Sequence, residues 1–172
     1  ERLAAALAGA GVRRGDRVAI AIGNRPAFIV AFLGILRTGA TAVPLNILYK
    51  ADEYRYALEH ARCAAILTEP AHEARLDEAA AGLPRTVARF VAAAQEEGLF
   101  IAGTPGAPAG SMELPRLEDL AGVFYTSGTT ARPKGVMITH ANLIWSAEVT
   151  IQSLQLASED VPLLAFPLFH VN

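Results

Sequence analysis

Residues 125–136 read Tyr125-Thr126-Ser127-Gly128-Thr129-Thr130-Ala131-Arg132-Pro133-Lys134-Gly135-Val136. Thr126, Ser127, Thr129 and Thr130 crowd four hydroxyls around Gly128, and Lys134 follows between Pro133 and Gly135. Hydroxyls, backbone N–H groups and an ammonium converging on a flexible turn suit a polyphosphate. Lys134 is one of only two lysines, the other being Lys50, against thirteen arginines. A compact ammonium meets phosphate oxygens in several geometries, where a guanidinium is a flat fork.

The helix-opening phosphate loop needs Gly, four residues, then Gly-Lys-Ser/Thr. Pro133 before Lys134 and Gly135 after it break that pattern. Leu120–Tyr125 on one side and Val136-Met137-Ile138 on the other are apolar. The expected arrangement is therefore strand, hydroxyl-rich loop, strand, with no helix dipole behind the loop. A solvated turn would use the same residue types. Four hydroxyls, two glycines and the Pro-Lys-Gly ending together favour phosphate.

Working outward, apolar segments alternate with helical ones. Helices are expected at Arg2–Ala8, from Pro26 to about Thr38, from an Asp52 cap to about His60, and at Glu73–Ala80. Strands are expected at Arg17–Ile22, Thr41–Pro44 and Ala64–Thr68. The helix after Pro26 is apolar nearly all round and should be buried. This rhythm implies an α/β fold, a mainly parallel sheet with flanking helices. Thr86–Val91 reads as a strand or a helix start. The Gly-, Ala- and Pro-rich stretch of about 98–118 reads as a surface linker. Strands at 121–126 and 135–138 flank the loop. Thr139 should cap a helix from His140 to about Leu154, with Leu143, Ala147 and Ile151 on its apolar side. Val161–Phe169 reads as a last strand, preceded by the solvated Glu159 and Asp160.

Composition narrows the classes. The chain has 172 residues, 52% of them hydrophobic, a mean hydropathy of +0.31 and a formal charge of −2. With no basic block, nucleic acid is not an expected partner. Cys63 stands alone, and His60, His72, His140 and His170 are too scattered for a zinc motif, so no metal-ligating residue is assigned. One cysteine fits a reducing cytoplasm. The longest apolar run, Ala27–Leu36, is too short to cross a bilayer, and no transmembrane segment is expected. The chain opens inside a helical pattern without Met and ends after an apolar strand with nothing to cover it. It is therefore expected to be the front part of a longer protein. Its oligomeric state stays open, a homodimer included.

The stretch at 125–136 resembles the phosphate-loop signature of the adenylate-forming superfamily: acyl-CoA synthetases, luciferases and peptide-synthetase adenylation domains. Ala131 departs from that signature, which has glycine there. If the position needs a positive φ, alanine costs roughly 1–2 kcal/mol. Three further blocks resemble the superfamily in order and spacing. They are Gly15–Ile20 with Asn24-Arg25-Pro26, Leu36–Ala40 through Val43–Asn46, and Pro167-Leu168-Phe169-His170. The match is good over 12–70 and 119–172 and poor over 85–118. Phe169-His170 resembles the acyl- and aryl-CoA ligase branch, where the histidine lies beside the acyl pocket. Amino-acid adenylation domains typically have Phe-Asp there.

The resemblance implies a ligase that joins a fatty or aryl carboxylic acid to AMP from ATP with Mg²⁺, releases pyrophosphate, and then forms the coenzyme A thioester. It implies that Thr126, Ser127, Gly128, Thr129, Thr130, Lys134 and Gly135 hold the ATP phosphates. Lys134 would act catalytically on the leaving group, and His170 would line the substrate pocket. Gly128 and Gly135 are expected to supply backbone freedom, and Tyr125 to pack the strand end. Residues 1–172 would be the N-terminal portion of the large AMP-binding domain, without the small C-terminal domain. The Mg²⁺ carboxylate, ribose aspartate, adenine-stacking aromatic and C-terminal lysine would lie downstream, so the piece alone is expected to be inactive. Two other readings stay open: a nucleotide-binding remnant without catalysis, and an amino-acid adenylation domain. A serine hydrolase using Ser127 with His140 or His170 is disfavoured. Tyr125 stands where the nucleophile elbow needs glycine.

Overall fold

A computed structural model describes residues 1–83, 87–95, 98–101, 114–126, 132–163 and 165–170. The helices are α1 (Arg2–Gly9), α2 (Pro26–Arg37), α3 (Ala51–His60), α4 (Glu73–Ala80) and α5 (His140–Leu154). The strands are β1 (Arg17–Ala21), β2 (Thr41–Pro44), β3 (Ala65–Thr68), β4 (Ala88–Gln95), β5 (Gly98–Ile101), β6 (Leu120–Thr126) and β7 (Lys134–Thr139). They form one seven-stranded sheet in the order β5-β4-β3-β1-β2-β6-β7. The pairs β1/β2, β1/β3, β3/β4 and β2/β6 are parallel, and the outer pairs β4/β5 and β6/β7 are antiparallel. The mainly parallel α/β fold expected from the helix–strand rhythm is the fold observed.

Strand side chains alternate between faces, which gives the sheet two cores. Val18 and Ile20 of β1 join Ala42, Ala65 and Leu67 beneath Leu3 and Leu7 of α1 and Phe28, Ala31 and Ile35 of α2. Ala19 and Ala21 turn the other way, with Val43, Ile66, Val123 and Tyr125, beneath Tyr54, Ala57 and Leu58 of α3 and Leu76 and Ala79 of α4. Helices cover both faces, as a parallel sheet requires.

Several elements differ from expectation for local reasons. Asp52 is not the cap of α3. The helix starts at Ala51, Glu53 accepts the Lys50 N–H at 2.8 Å, and Asp52 pairs with Arg55 one turn on, also at 2.8 Å. Gly98–Ile101, expected within the linker, pairs antiparallel with β4; residues 102–113 lie outside the described residues. Helix α2 buries only Phe28, Ala31, Gly34 and Ile35, while Ile29, Val30 and Leu33 are exposed. Val161–Phe169 is not a strand among its described residues; Pro162 and Pro167 have no N–H to give a ladder. Pro167–His170 instead closes a turn, with the His170 N–H donating to the Pro167 carbonyl at 3.0 Å.

Helix α5 begins as expected. Thr139 Oγ1 accepts the Asn142 N–H at 3.2 Å, and Asn142 Oδ1 accepts the Thr139 N–H at 3.0 Å. None of its residues is buried: Leu143 is half-buried, and Ala147 and Ile151 are exposed. His140, at its first turn, has a ring Nε2 buried without a hydrogen-bond partner among the described residues. Burial pulls its pKa below the ordinary value, partly opposed by the Asp119 carboxylate. The folded state thus resists a proton that the unfolded chain takes up near pH 6.5. Stability should fall as pH drops below about 6.5, and His140→Gln should flatten that decline in thermal melts between about pH 7 and pH 5. A decline of equal slope in the variant would show that His140 does not contribute.

Candidate active site

The parallel strands β1, β2, β3 and β6 all end at one edge of the sheet. Ligands of open α/β sheets bind outside these carboxyl ends. Thr126, the last residue of β6, lies at this edge and pairs in register with Lys134, the first residue of β7. Directly opposed residues of an antiparallel pair share a face, with Cβ atoms about 5 Å apart. The side chains of Thr126 and Lys134 thus leave the strands side by side on one face, and both residues are exposed. No salt bridge to a described carboxylate engages Lys134. Ser127, Gly128, Thr129, Thr130 and Ala131 lie outside the described residues.

Gly135 is required for a different reason from the one expected. Its φ is not in the left-handed region. It faces Val123 and Tyr125 of β6, and a Cβ there would stand 2.8 Å from Val123 Cγ1. Gly135→Ala should therefore overpack the hairpin by about 1–3 kcal/mol. Val123→Ala in the same chain should relieve part of that penalty, as a double-mutant cycle in urea would read. Additive effects would mean that the contact is not responsible.

Helix α3 supports the start of β7 and the end of β6 through residues that sequence reading did not single out. The Tyr56 hydroxyl donates to the Pro133 carbonyl at 3.1 Å, and the Arg132 guanidinium lies over the Tyr56 ring, 5.4 Å from its centroid. The His60 ring stacks on Tyr56 at 5.3 Å and places Nδ1 2.9 Å from the Tyr125 hydroxyl. That hydroxyl donates in turn to the Ala57 carbonyl at 3.2 Å. One proton arrangement satisfies both contacts: the phenol donates to Ala57, and His60 Nδ1–H donates to the phenol oxygen. Burial, with a smaller effect from Cys63, pushes the Tyr125 pKa far up, so the phenol keeps its proton. Tyr125 is a buried strut, as expected. Tyr56 and His60 lie four residues apart on one helix face, a legible pairing. Which strand that face meets is not legible.

The second block expected at the site, Pro167-Leu168-Phe169-His170, meets the turn after β1. Asn24 bonds the backbone at Phe166 and Leu168. A cavity of about 510 Å³ lies beside this junction, lined by Asn24, Arg25, Pro26, Ile29, Val30 and Leu168. Leu168 and Phe169 pack on the α1–α2 core. His170 is exposed, with its ring 5.0 Å from that of Phe169. It belongs to its own turn and does not join the Thr126–Lys134 pair. Among the described residues no group of three or more His, Cys, Asp or Glu is placed to hold a metal ion.

The fold is of the α/β class, a mainly parallel sheet with a threonine and a lysine opposed at its carboxyl edge. The chain belongs to the AMP-binding enzyme family, whose profile matches residues 1–172. A feruloyl-CoA synthase from an Amycolatopsis species is 38% identical over 98% of this chain and 32% of its own length. A long-chain-fatty-acid-CoA ligase from Archaeoglobus fulgidus superposes with a TM-score of 0.82 at 28% identity, over 98% of this chain and 34% of that one. ATP-bound MatB from Rhodopseudomonas palustris superposes with a TM-score of 0.80 at 28% identity, over 98% and 33%. The chain thus spans about a third of the length of these relatives. Among the described residues no helix is long and apolar enough to cross a membrane.

Proposed function

We propose that the intact protein is an AMP-forming acid–thiol ligase acting on a fatty or aryl carboxylic acid, ATP and coenzyme A. Residues 1–172 would be the N-terminal portion of its large domain. The observation that carries this reading is the exposed Thr126–Lys134 pair, opposed in register at the carboxyl edge of the sheet. The kinship with CoA ligases supports it.

In the first step a carboxylate oxygen attacks the α-phosphorus of ATP. The bond to the bridging oxygen breaks, and its electron pair leaves with pyrophosphate. The Lys134 ammonium and the hydroxyls of Thr126, Ser127, Thr129 and Thr130 oppose the charge growing on that leaving group. Magnesium would travel with ATP and add charge neutralisation. In the second step the coenzyme A sulfur attacks the acyl carbonyl, AMP departs with the former carboxylate oxygen, and the thiol proton passes to solvent. His170 lines the acid side, a reading supported by the Phe169-His170 sequence. The lone, buried Cys63 is in keeping with a reducing cytoplasm.

Acid-dependent ATP–pyrophosphate exchange by the purified intact protein tests this proposal. Aryl and fatty acids should support exchange, and coenzyme A should convert the adenylate to a thioester. Residues 1–172 alone should form no acyl-adenylate. Exchange driven only by amino acids would move the protein to the adenylation domains. No exchange with any acid would leave a nucleotide-binding remnant without catalysis.

A further inference from the structure

Asn24 joins two segments that lie far apart in the chain. Its Nδ2 donates to the Phe166 carbonyl at 2.9 Å, and its Oδ1 accepts the Leu168 N–H at 2.9 Å. One carboxamide thus grips an acceptor and a donor two residues apart on the same backbone, which sets both position and direction. The His170 N–H then closes its turn on the Pro167 carbonyl, and Leu168 and Phe169 anchor that turn on the core.

Asn24 is itself held from both sides. The Gly23 N–H donates to Glu69 Oε1 at 2.8 Å, and the Arg25 guanidinium pairs with Glu69 Oε2 at 3.2 Å. Glu69, at the end of β3, is only 8% exposed. The residues flanking Asn24 therefore converge on one buried carboxylate, and the clamp stands on a rigid base. The chain of contacts runs from β3 through Glu69, the 23–25 turn and Asn24 to the segment bearing His170.

We propose that Asn24 is a positioning residue for the carboxylic acid: it holds the 166–168 backbone so that the His170 turn forms a fixed wall of the acid-binding side. This deepens the ligase reading above and rests on it. Glu69 acts one step further back by fixing the 23–25 turn. Neither residue contacts the reacting atoms.

Steady-state exchange with the intact protein separates the outcomes. Asn24→Ala loses two backbone hydrogen bonds and should raise KM for the acid about tenfold, with KM for ATP within about twofold. Asn24→Asp keeps an acceptor for the Leu168 N–H but sets a second acceptor against the Phe166 carbonyl, and should therefore recover little of the loss. Amide hydrogen exchange on the same proteins should show faster exchange at Leu168 and His170 in Asn24→Ala. An unchanged acid KM overturns the proposal. So does an equal rise in both KM values, which marks general loosening, or unchanged Leu168 protection. A wild-type protein without acid-dependent exchange would instead remove the ligase reading, and the substrate assignment with it.

Discussion

Lys134→Ala in the intact protein is expected to slow acid-dependent ATP–pyrophosphate exchange by on the order of 100- to 1,000-fold, the usual loss when one donor to a developing negative charge is removed. The argument starts from the register. Lys134 opens β7 opposite Thr126 at the carboxyl edge of the sheet, exposed and without a described salt-bridge partner. Removing its ammonium should not unfold the protein, because surface substitutions away from special features change stability little. The loss should therefore fall on the exchange rate while thermal melting stays put. Lys134→Arg keeps the charge but presents a planar fork, and should restore only part of the rate. An unchanged rate in Lys134→Ala, with the fold intact, would remove Lys134 from the mechanism.

Tyr125→Ala is the substitution expected to cost the most stability, about 3–5 kcal/mol, as for other large aromatic truncations in a core. The ring is 7% exposed and lies edge-on to Tyr56 and His60, with centroids at 6.4 and 5.9 Å. Its hydroxyl meets both the Ala57 carbonyl and His60 Nδ1. Tyr125→Phe keeps the ring and leaves those two groups short of a partner, a loss of about 1–3 kcal/mol. Urea unfolding of the three proteins separates packing from hydrogen bonding. A Tyr125→Ala protein within about 1 kcal/mol of wild type would mean that the site collapses around the missing ring. The strut between α3 and β6 would then have no energetic content.

What could be read from the chain follows from how local the cause is. Strands β1, β2 and β3 were legible because short apolar runs are bounded by turn signals, as at Arg14-Gly15-Asp16 before Arg17. The Thr139 cap was legible because its partner Asn142 is three residues away. Asp52 misled for the converse reason: a good cap type stood one residue inside the helix, and Glu53 bonded the Lys50 N–H instead. Burial of α2 and α5 was not legible, because periodicity marks an apolar face and not what meets it. The Val161–Phe169 error gave apolar content more weight than its two prolines. At the candidate site, Thr126, Lys134 and Gly135 stood out as a run of residue types. Tyr56, His60 and Glu69 did not, and Asn24 stood out only within the Asn24-Arg25-Pro26 block and not for its bonds, because each acts across 46 to 144 residues that only the sheet topology closes.

The hairpin that carries Lys134 has a kinetic corollary. β6 and β7 are adjacent in both sequence and space, so Thr126 and Lys134 can meet by closing a short loop, an event of low entropic cost. The Asn24 bonds bridge 142 and 144 residues and must wait for distant parts of the chain to assemble. A nascent chain would therefore bring the ammonium and hydroxyl together early and complete the His170 corner among its last steps.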